Sequence, residues 1–154
     1  MNYSGIEFSS LKNGEGVNVV LFVSGCCAEP HCPNCQNPQT WDPKAGKEFT
    51  DKTLDILRAE LKKDYMTGIC FSGGDPLHPD NYEKVCEISR KLRDEFPNKT
   101  QWLYTGYSQK FVSKERAKIL ETLDVIVTEK YDKNLPGDKW VGSNNQKVIY
   151  LKTE

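Results

Sequence analysis

The chain is predicted to be an α/β protein with a mainly parallel sheet, folded as an open, partial βα barrel. Three observations carry that prediction. Apolar runs of strand length alternate with amphipathic stretches of helical period, the first apolar run is apolar on both faces, and the runs are too few to close an eight-stranded barrel, which takes ~250 residues. The 154 residues, 37% of them hydrophobic, suffice for one core without disulfide staples, so a single domain over 1–154 is expected.

Residues 1–16 are polar and Gly-rich, and Asn13-Gly14-Glu15-Gly16 reads as a turn delivering the chain into a strand over Val17–Ser24. Unbroken apolar character from Val19 to Val23 suits a central parallel strand, and it puts Gly25 at the strand's carboxyl end, where α/β folds build their sites. A loop follows to about Phe49. Thr50 then reads as an N-cap, with Leu54, Leu57 and Leu61 at helical spacing and Lys62-Lys63 complementing the helix dipole.

Gly68–Phe71 is a second strand, ending in Ser72-Gly73-Gly74-Asp75-Pro76. Tyr82, Val85, Ile88 and Leu92 draw the stripe of a helix stopped by Pro97. Gln101–Thr105 makes a third strand ending at Gly106-Tyr107, and a less regular helical stretch runs from about Gln109 to Leu123. Val125–Val127 is a fourth strand, and Lys147–Leu151 a last one after a long loop. The order β-α-β-α-β-α-β implies right-handed crossovers, with strand ends gathered along one rim.

A net charge of −1, from 21 basic and 22 acidic residues without blocks of either sign, argues against nucleic acid as a partner. No apolar run approaches the ~20 residues that span a bilayer, and Met1–Glu7 has no basic segment leading into an apolar one. The expectation is a cytoplasmic protein without a membrane partner, in which clustered thiols point to metal or redox chemistry rather than disulfides.

Four of the six cysteines, Cys26, Cys27, Cys32 and Cys35, fall within ten positions directly after the first strand. The Cys32-x-x-Cys35 spacing lets one loop aim two thiolates at one metal centre, and Cys26 or Cys27 can supply a third. Three chemistries suit these residues: a thioredoxin-like dithiol, a structural zinc site completed by His31 or by both Cys26 and Cys27, and a [4Fe–4S] cluster whose three cysteines leave one iron free for a substrate. His31 itself reads more simply as a solvated loop imidazole. Gly73 and Gly74 let backbone groups approach a ligand, and Asp75 offers an acceptor for an amino group; a tight βα turn explains the same residues without any ligand. Cys70 and Cys86 read as buried, inert thiols. Trp41, Trp102 and Trp140 either rim a docking groove or simply pack, and His78 reads as solvent-facing.

The apolar strand, the Gly-Cys loop ending in Cys-x-x-Cys and the later Gly73-Gly74-Asp75-Pro76-Leu77 together resemble the radical S-adenosylmethionine enzymes. More narrowly, Leu21–Cys26, Cys35-Gln36-Asn37-Pro38-Gln39-Thr40-Trp41, Ser72–Leu77, Tyr104-Thr105-Gly106-Tyr107 and Gly142-Ser143-Asn144-Asn145-Gln146 resemble the small glycyl-radical activases that serve anaerobic ribonucleoside-triphosphate reductases. The likeness covers nearly the whole chain.

That resemblance implies a fold of the radical S-adenosylmethionine type and an enzyme. It implies a [4Fe–4S] cluster held by Cys26, Cys32 and Cys35, with Cys27 as rival to Cys26. S-adenosyl-L-methionine would be the second cofactor, its methionine end lined by Gly73, Gly74 and Asp75, its adenine near Asn34 and Gln36 on either side of Cys35, and its ribose near Thr105. The implied partners are the reductase's large subunit and a low-potential electron donor, and the implied reaction is hydrogen abstraction from a glycine of that subunit. Two departures stand out. The family's Cys-x3-Cys-x2-Cys is here Cys26-x5-Cys32 or Cys27-x4-Cys32, and Thr128-Glu129 and Val141 replace the usual Asp-Gly and Arg. The second departure implies a different partner-facing surface.

Overall fold

A computed structural model describes residues 1–25, 44, 46–129, 137, 141 and 145–151. Seven strands form one sheet: β1 (Asn2–Ser10), β2 (Asn18–Val23), β3 (Lys47–Glu48), β4 (Gly68–Gly73), β5 (Thr100–Tyr104), β6 (Val125–Thr128) and β7 (Lys147–Tyr150), in the spatial order β3-β1-β2-β4-β5-β6-β7. Strands β2, β4, β5 and β6 are parallel, with Val19 opposite Ile69, Cys70 opposite Trp102 and Leu103 opposite Ile126. The flanking pairs β1·β2, β1·β3 and β6·β7 are antiparallel. The architecture is thus α/β with a mixed sheet whose centre is parallel.

The helices α1 (Asp51–Leu61), α2 (Tyr82–Glu95) and α3 (Gln109–Glu115), the last followed by a 3-10 turn over Ala117–Glu121, lie in the crossovers. Period-two alternation divides the strand residues between two faces. Val19, Leu21, Val23, Ile69, Phe71, Leu103 and Ile126 pack with Leu54 and Leu57 of α1, Val85, Ile88 and Leu92 of α2 and Val112 of α3. The other face carries a second apolar cluster, Val20, Cys70, Trp102, Val125 and Val127, with Phe22, Tyr104, Val141 and Val148 against it. Both faces of β2 are packed, which is why its sequence is apolar without alternation.

Among the described residues seven strands stand where four or five were expected. The main addition is β1, in a segment read as a polar approach: Gly5 lacks a side chain, and the pairing with β2 shifts register between Tyr3 and Gly5 and again between Glu7 and Ser10, so no clean alternation survives in the sequence. Strand β3 has only two residues, too few to leave a signal. The irregular stretch after Gln109 resolves into α3 and the 3-10 turn, joined at Arg116.

The first three residues gather the chain on both sides of the cysteine segment. Ser24 N donates to Asn2 O at 2.9 Å on the incoming side, and Phe49 N donates to Met1 O at 2.9 Å on the outgoing side. Tyr3 pairs with Val23 in one direction and Lys47 in the other, and the Asn2 side-chain amide donates to Lys44 O at 3.0 Å.

The amino ends of the parallel strands carry a buried polar network. Asp124 Oδ2 accepts from Arg93 Nη2 at 2.5 Å and from Gln101 N at 2.8 Å; Arg93 also donates to Thr122 O at 2.7 Å. Ser89 hydrogen-bonds Gln101 and Thr122. These contacts fasten α2 and the 3-10 turn to the starts of β5 and β6. Among the described residues no helix is long and apolar enough to cross a membrane.

Candidate functional site at the carboxyl ends of the strands

The site is built around the turn that follows β4. Gly73 has φ +108°, and a Cβ there would lie 2.5 Å from both the nitrogen and the oxygen of Val23. Only glycine allows β4 to end this close to β2. Gly74 N then donates to Val23 O at 2.9 Å, and Asp75 N donates to Gly25 O at 2.6 Å, so the turn is fastened to the last residues before the cysteines.

Asp75 is 3% exposed, and its carboxylate is met by three neutral donors. Leu77 N reaches Oδ1 at 3.0 Å, closing an Asx-type turn, Thr105 Oγ1 donates to Oδ1 at 2.7 Å, and Gly106 N donates to Oδ2 at 2.9 Å. The carboxylate therefore ties the turn after β4 to the turn after β5. Among the described residues it has no ion-pair partner. Burial pushes its pKa above the ordinary carboxylate range, while the Leu77 amide, the Thr105 hydroxyl and the Gly106 amide pull the other way.

Two residues that the sequence reading passed over complete the frame. Asn81 is 1% exposed, and its side-chain amide donates to Ser24 O at 2.8 Å and to Asp75 O at 3.0 Å. Arg116 Nε donates to Leu77 O at 3.0 Å, with the guanidinium 4.8 Å from the Tyr82 ring centre and 5.2 Å from that of Phe111. An Asn before a helix reads as a cap, and an Arg at a helix end as a solvated cation. No local signal reveals partners 57 and 39 positions away.

Of the residues expected at the site, Gly73, Gly74, Asp75 and Thr105 converge at this rim. The Thr105 hydroxyl gives its proton to Asp75 and accepts from Tyr107 N at 3.2 Å. Cys26, Cys27, Cys32 and Cys35, with His31, Asn34 and Gln36, lie outside the described residues, as do Trp41, Trp140 and 142–144. Trp102 packs in the second core, edge-on to Tyr150 at 6.1 Å, rather than rimming a groove. His78 is half-buried rather than solvent-facing, its Nδ1 accepting from Asp80 N at 3.0 Å, because the turn after Asp75 folds it inward. Val141 packs against the second apolar cluster, and Glu129 holds φ +80° in the left-handed region that favours glycine.

Six cysteines are a donor set whose chemistry fits a thiolate-bound metal centre. Among the described residues no group of His, Cys, Asp and Glu is arranged to hold a metal ion. Cys70 and Cys86 are both free and buried, in clusters on opposite faces of the sheet, and burial pushes both thiols above their ordinary pKa. Both are buried, as expected of them, in surroundings that disfavour the thiolate. The other four cysteines lie in the segment that leaves Gly25, outside the described residues, and soft sulfur donors suit iron–sulfur clusters and zinc alike.

Comparison with known proteins narrows the class. The model of a family described as a 4Fe-4S single cluster domain matches residues 12–149, nearly the whole chain. An anaerobic ribonucleoside-triphosphate reductase-activating protein of Enterobacteria phage T4 is 42% identical over 149 residues, covering 96% of this chain and 93% of its own. Proteins of the same name from Escherichia coli (strain K12) and Vibrio cholerae are each 35% identical, over 99% and 96% of this chain and 100% and 97% of theirs. No solved structure matches. The match over residues 12–149 places the chain in the 4Fe-4S single-cluster class. Within that class the chain belongs to the family of anaerobic ribonucleoside-triphosphate reductase-activating proteins.

Proposed function

We propose that this chain is a radical S-adenosylmethionine enzyme that installs a glycyl radical on the large subunit of an anaerobic ribonucleoside-triphosphate reductase. The observation that carries the reading is the fastening of the Gly73-Gly74-Asp75 turn to Val23 and Gly25, which sets a ligand-approachable backbone beside the root of a four-thiol segment in a chain of this family. Cys32, Cys35 and Cys26, or Cys27 in its place, hold the [4Fe–4S] cluster. The cluster and S-adenosylmethionine together supply, on one-electron reduction by a low-potential donor, a 5′-deoxyadenosyl radical able to take a hydrogen atom from a glycine.

The chain's own residues bind and orient. Gly73 and Gly74 line the methionine end with backbone groups. Among the described residues Leu77, Thr105 and Gly106 fill three of the roughly four acceptor positions of Asp75, and the remaining one on Oδ2 would take a donor such as a ligand ammonium. Thr105 keeps acceptor capacity for a ribose hydroxyl, and Asn34 and Gln36 meet the adenine. The open βα arrangement is of the radical S-adenosylmethionine type, in one domain over 1–154, working in the cytoplasm where the thiols stay reduced.

The test is anaerobic reconstitution with iron and sulfide, metal analysis, and a dithionite-driven assay for 5′-deoxyadenosine, followed by EPR of a glycyl radical after mixing with the reductase. About four irons per chain, cofactor cleavage and the radical signal are expected. A colourless protein carrying stoichiometric zinc, or a loaded cluster that cleaves no cofactor, would overturn the proposal. Substituting Cys26 and Cys27 separately by Ser and measuring bound iron identifies the third ligand.

A further inference from the structure

The bonds described between β2 and the turn after β4 are main-chain ones and those of the Asn81 side chain. Gly74 N to Val23 O and Asp75 N to Gly25 O are backbone contacts that follow from the two strands ending side by side. Asn81 is different. It stands immediately before α2, where an Asn side chain ordinarily accepts from the first free amides of the helix, yet it makes no such bond. Both of its amide hydrogens instead bond carbonyls of other elements, Ser24 O at 2.8 Å and Asp75 O at 3.0 Å.

The arrangement is costly on its own terms. Asn81 is 1% exposed, and its Oδ1 has no hydrogen-bond partner among the described residues, so the side chain forgoes a helix cap and leaves a buried acceptor unpaired. Such departures from local rules concentrate where a protein fixes geometry for function. The two hydrogens of one planar amide point in fixed directions, so neither carbonyl can shift against the other without breaking a bond. One carbonyl lies two residues before Cys26; the other belongs to the turn assigned to the methionine end.

We propose that Asn81 is a positioning residue that fixes the root of the cysteine loop against the cofactor-binding turn. It touches neither cluster nor cofactor and acts through Ser24 and Asp75. The proposal rests on the function proposed above, because it assigns the turn and the loop to the two halves of one cofactor site.

The experiment uses the full chain, reconstituted anaerobically, as wild type, Asn81→Ala, Asn81→Ser and, as a control at the opposite end of the sheet, Ser89→Ala. Bound iron, the melting temperature, the EPR spectrum of the reduced cluster and its change on titration with S-adenosylmethionine are read for each. Asn81→Ala is expected to load iron as the wild type does but to bind S-adenosylmethionine about tenfold more weakly, with an altered EPR line shape. Asn81→Ser, which keeps one donor, should recover part of that loss. Ser89→Ala should lower the melting temperature with affinity and spectrum unchanged.

Wild-type affinity and spectrum in Asn81→Ala would overturn the proposal, whatever the melting temperature, and so would failure of both Asn81 variants to fold, which would make the residue a structural one. A wild type that binds no S-adenosylmethionine defeats the functional reading itself, and is thereby distinguishable from failure of the Asn81 inference.

Discussion

Two carboxylates, Asp124 and Asp75, stand at opposite ends of the parallel strands, and the protein treats them differently. Asp124, at the amino ends, is paired with Arg93 at 2.5 Å in a network that fastens α2 to the sheet. Asp75, at the carboxyl ends, is more deeply buried and, among the described residues, is met only by two amides and a hydroxyl. A guanidinium beside Asp75 would neutralise the rim; neutral donors hold the geometry and leave the charge for something else to balance. The amino end is built for stability, and the carboxyl end keeps unsatisfied electrostatics where a ligand is proposed to bind.

The sharpest way to break that contrast is Gly73→Ala. A side chain at φ +108° would drive into the Val23 backbone, and a loss of about 3 kcal/mol or more, or no folded protein, is expected in urea denaturation. Next in size is Asp124→Ala at the other end, which leaves Arg93 half-buried and Gln101 N without its acceptor. It should cost about 2 kcal/mol in the same measurement while leaving S-adenosylmethionine affinity untouched; a weakened affinity would mean that the two ends are coupled.

Asp75→Asn probes the uncompensated charge through pH. Because burial raises the folded-state pKa of Asp75, its contribution to stability is fully present below the unfolded value near ~3.9 and is lost as pH rises through the folded one. Wild-type stability measured relative to Asp75→Asn should therefore fall as pH rises from about 4 through the raised folded-state value. A flat difference would show that the three donors fully offset burial. The smallest effect belongs to Arg58→Ala, which removes a solvent-exposed pair with Glu95 and should cost less than about 1 kcal/mol in calorimetry.

How much of this was legible in the sequence follows from the range over which each feature is encoded. Helices α1 and α2 and the four parallel strands are written in local periodicity, and they fall within a residue or two of the positions read from Leu54, Val85, Val19 and Val125. Strand β1 is not, since its two register shifts erase the alternation, and its role as a partner of β2 depends on pairing rather than composition. At the site, Gly73, Gly74 and Asp75 were legible as a turn, because a Gly-Gly pair directly after an apolar strand marks where the chain must bend. What Asp75 does with its carboxylate was not, because Thr105 and Gly106 reach it from thirty and thirty-one positions away. Asn81 and Arg116 escaped for the same reason.

The bonding of Met1, Asn2 and Tyr3 to residues on both flanks of the cysteine segment has a thermodynamic consequence. Once Ser24 and Phe49 are anchored to the same three residues, the chain between them is a closed ring, and the entropy of bringing its ends together has already been lost before any metal arrives. Thiols confined to such a ring meet one another at a raised effective concentration. Deleting Met1–Tyr3 should accordingly weaken iron uptake, read as the iron retained against a chelator, by severalfold while the parallel strands persist in circular dichroism. On this account the amino-terminal strand stores, as ring closure, part of the free energy of assembling the metal centre.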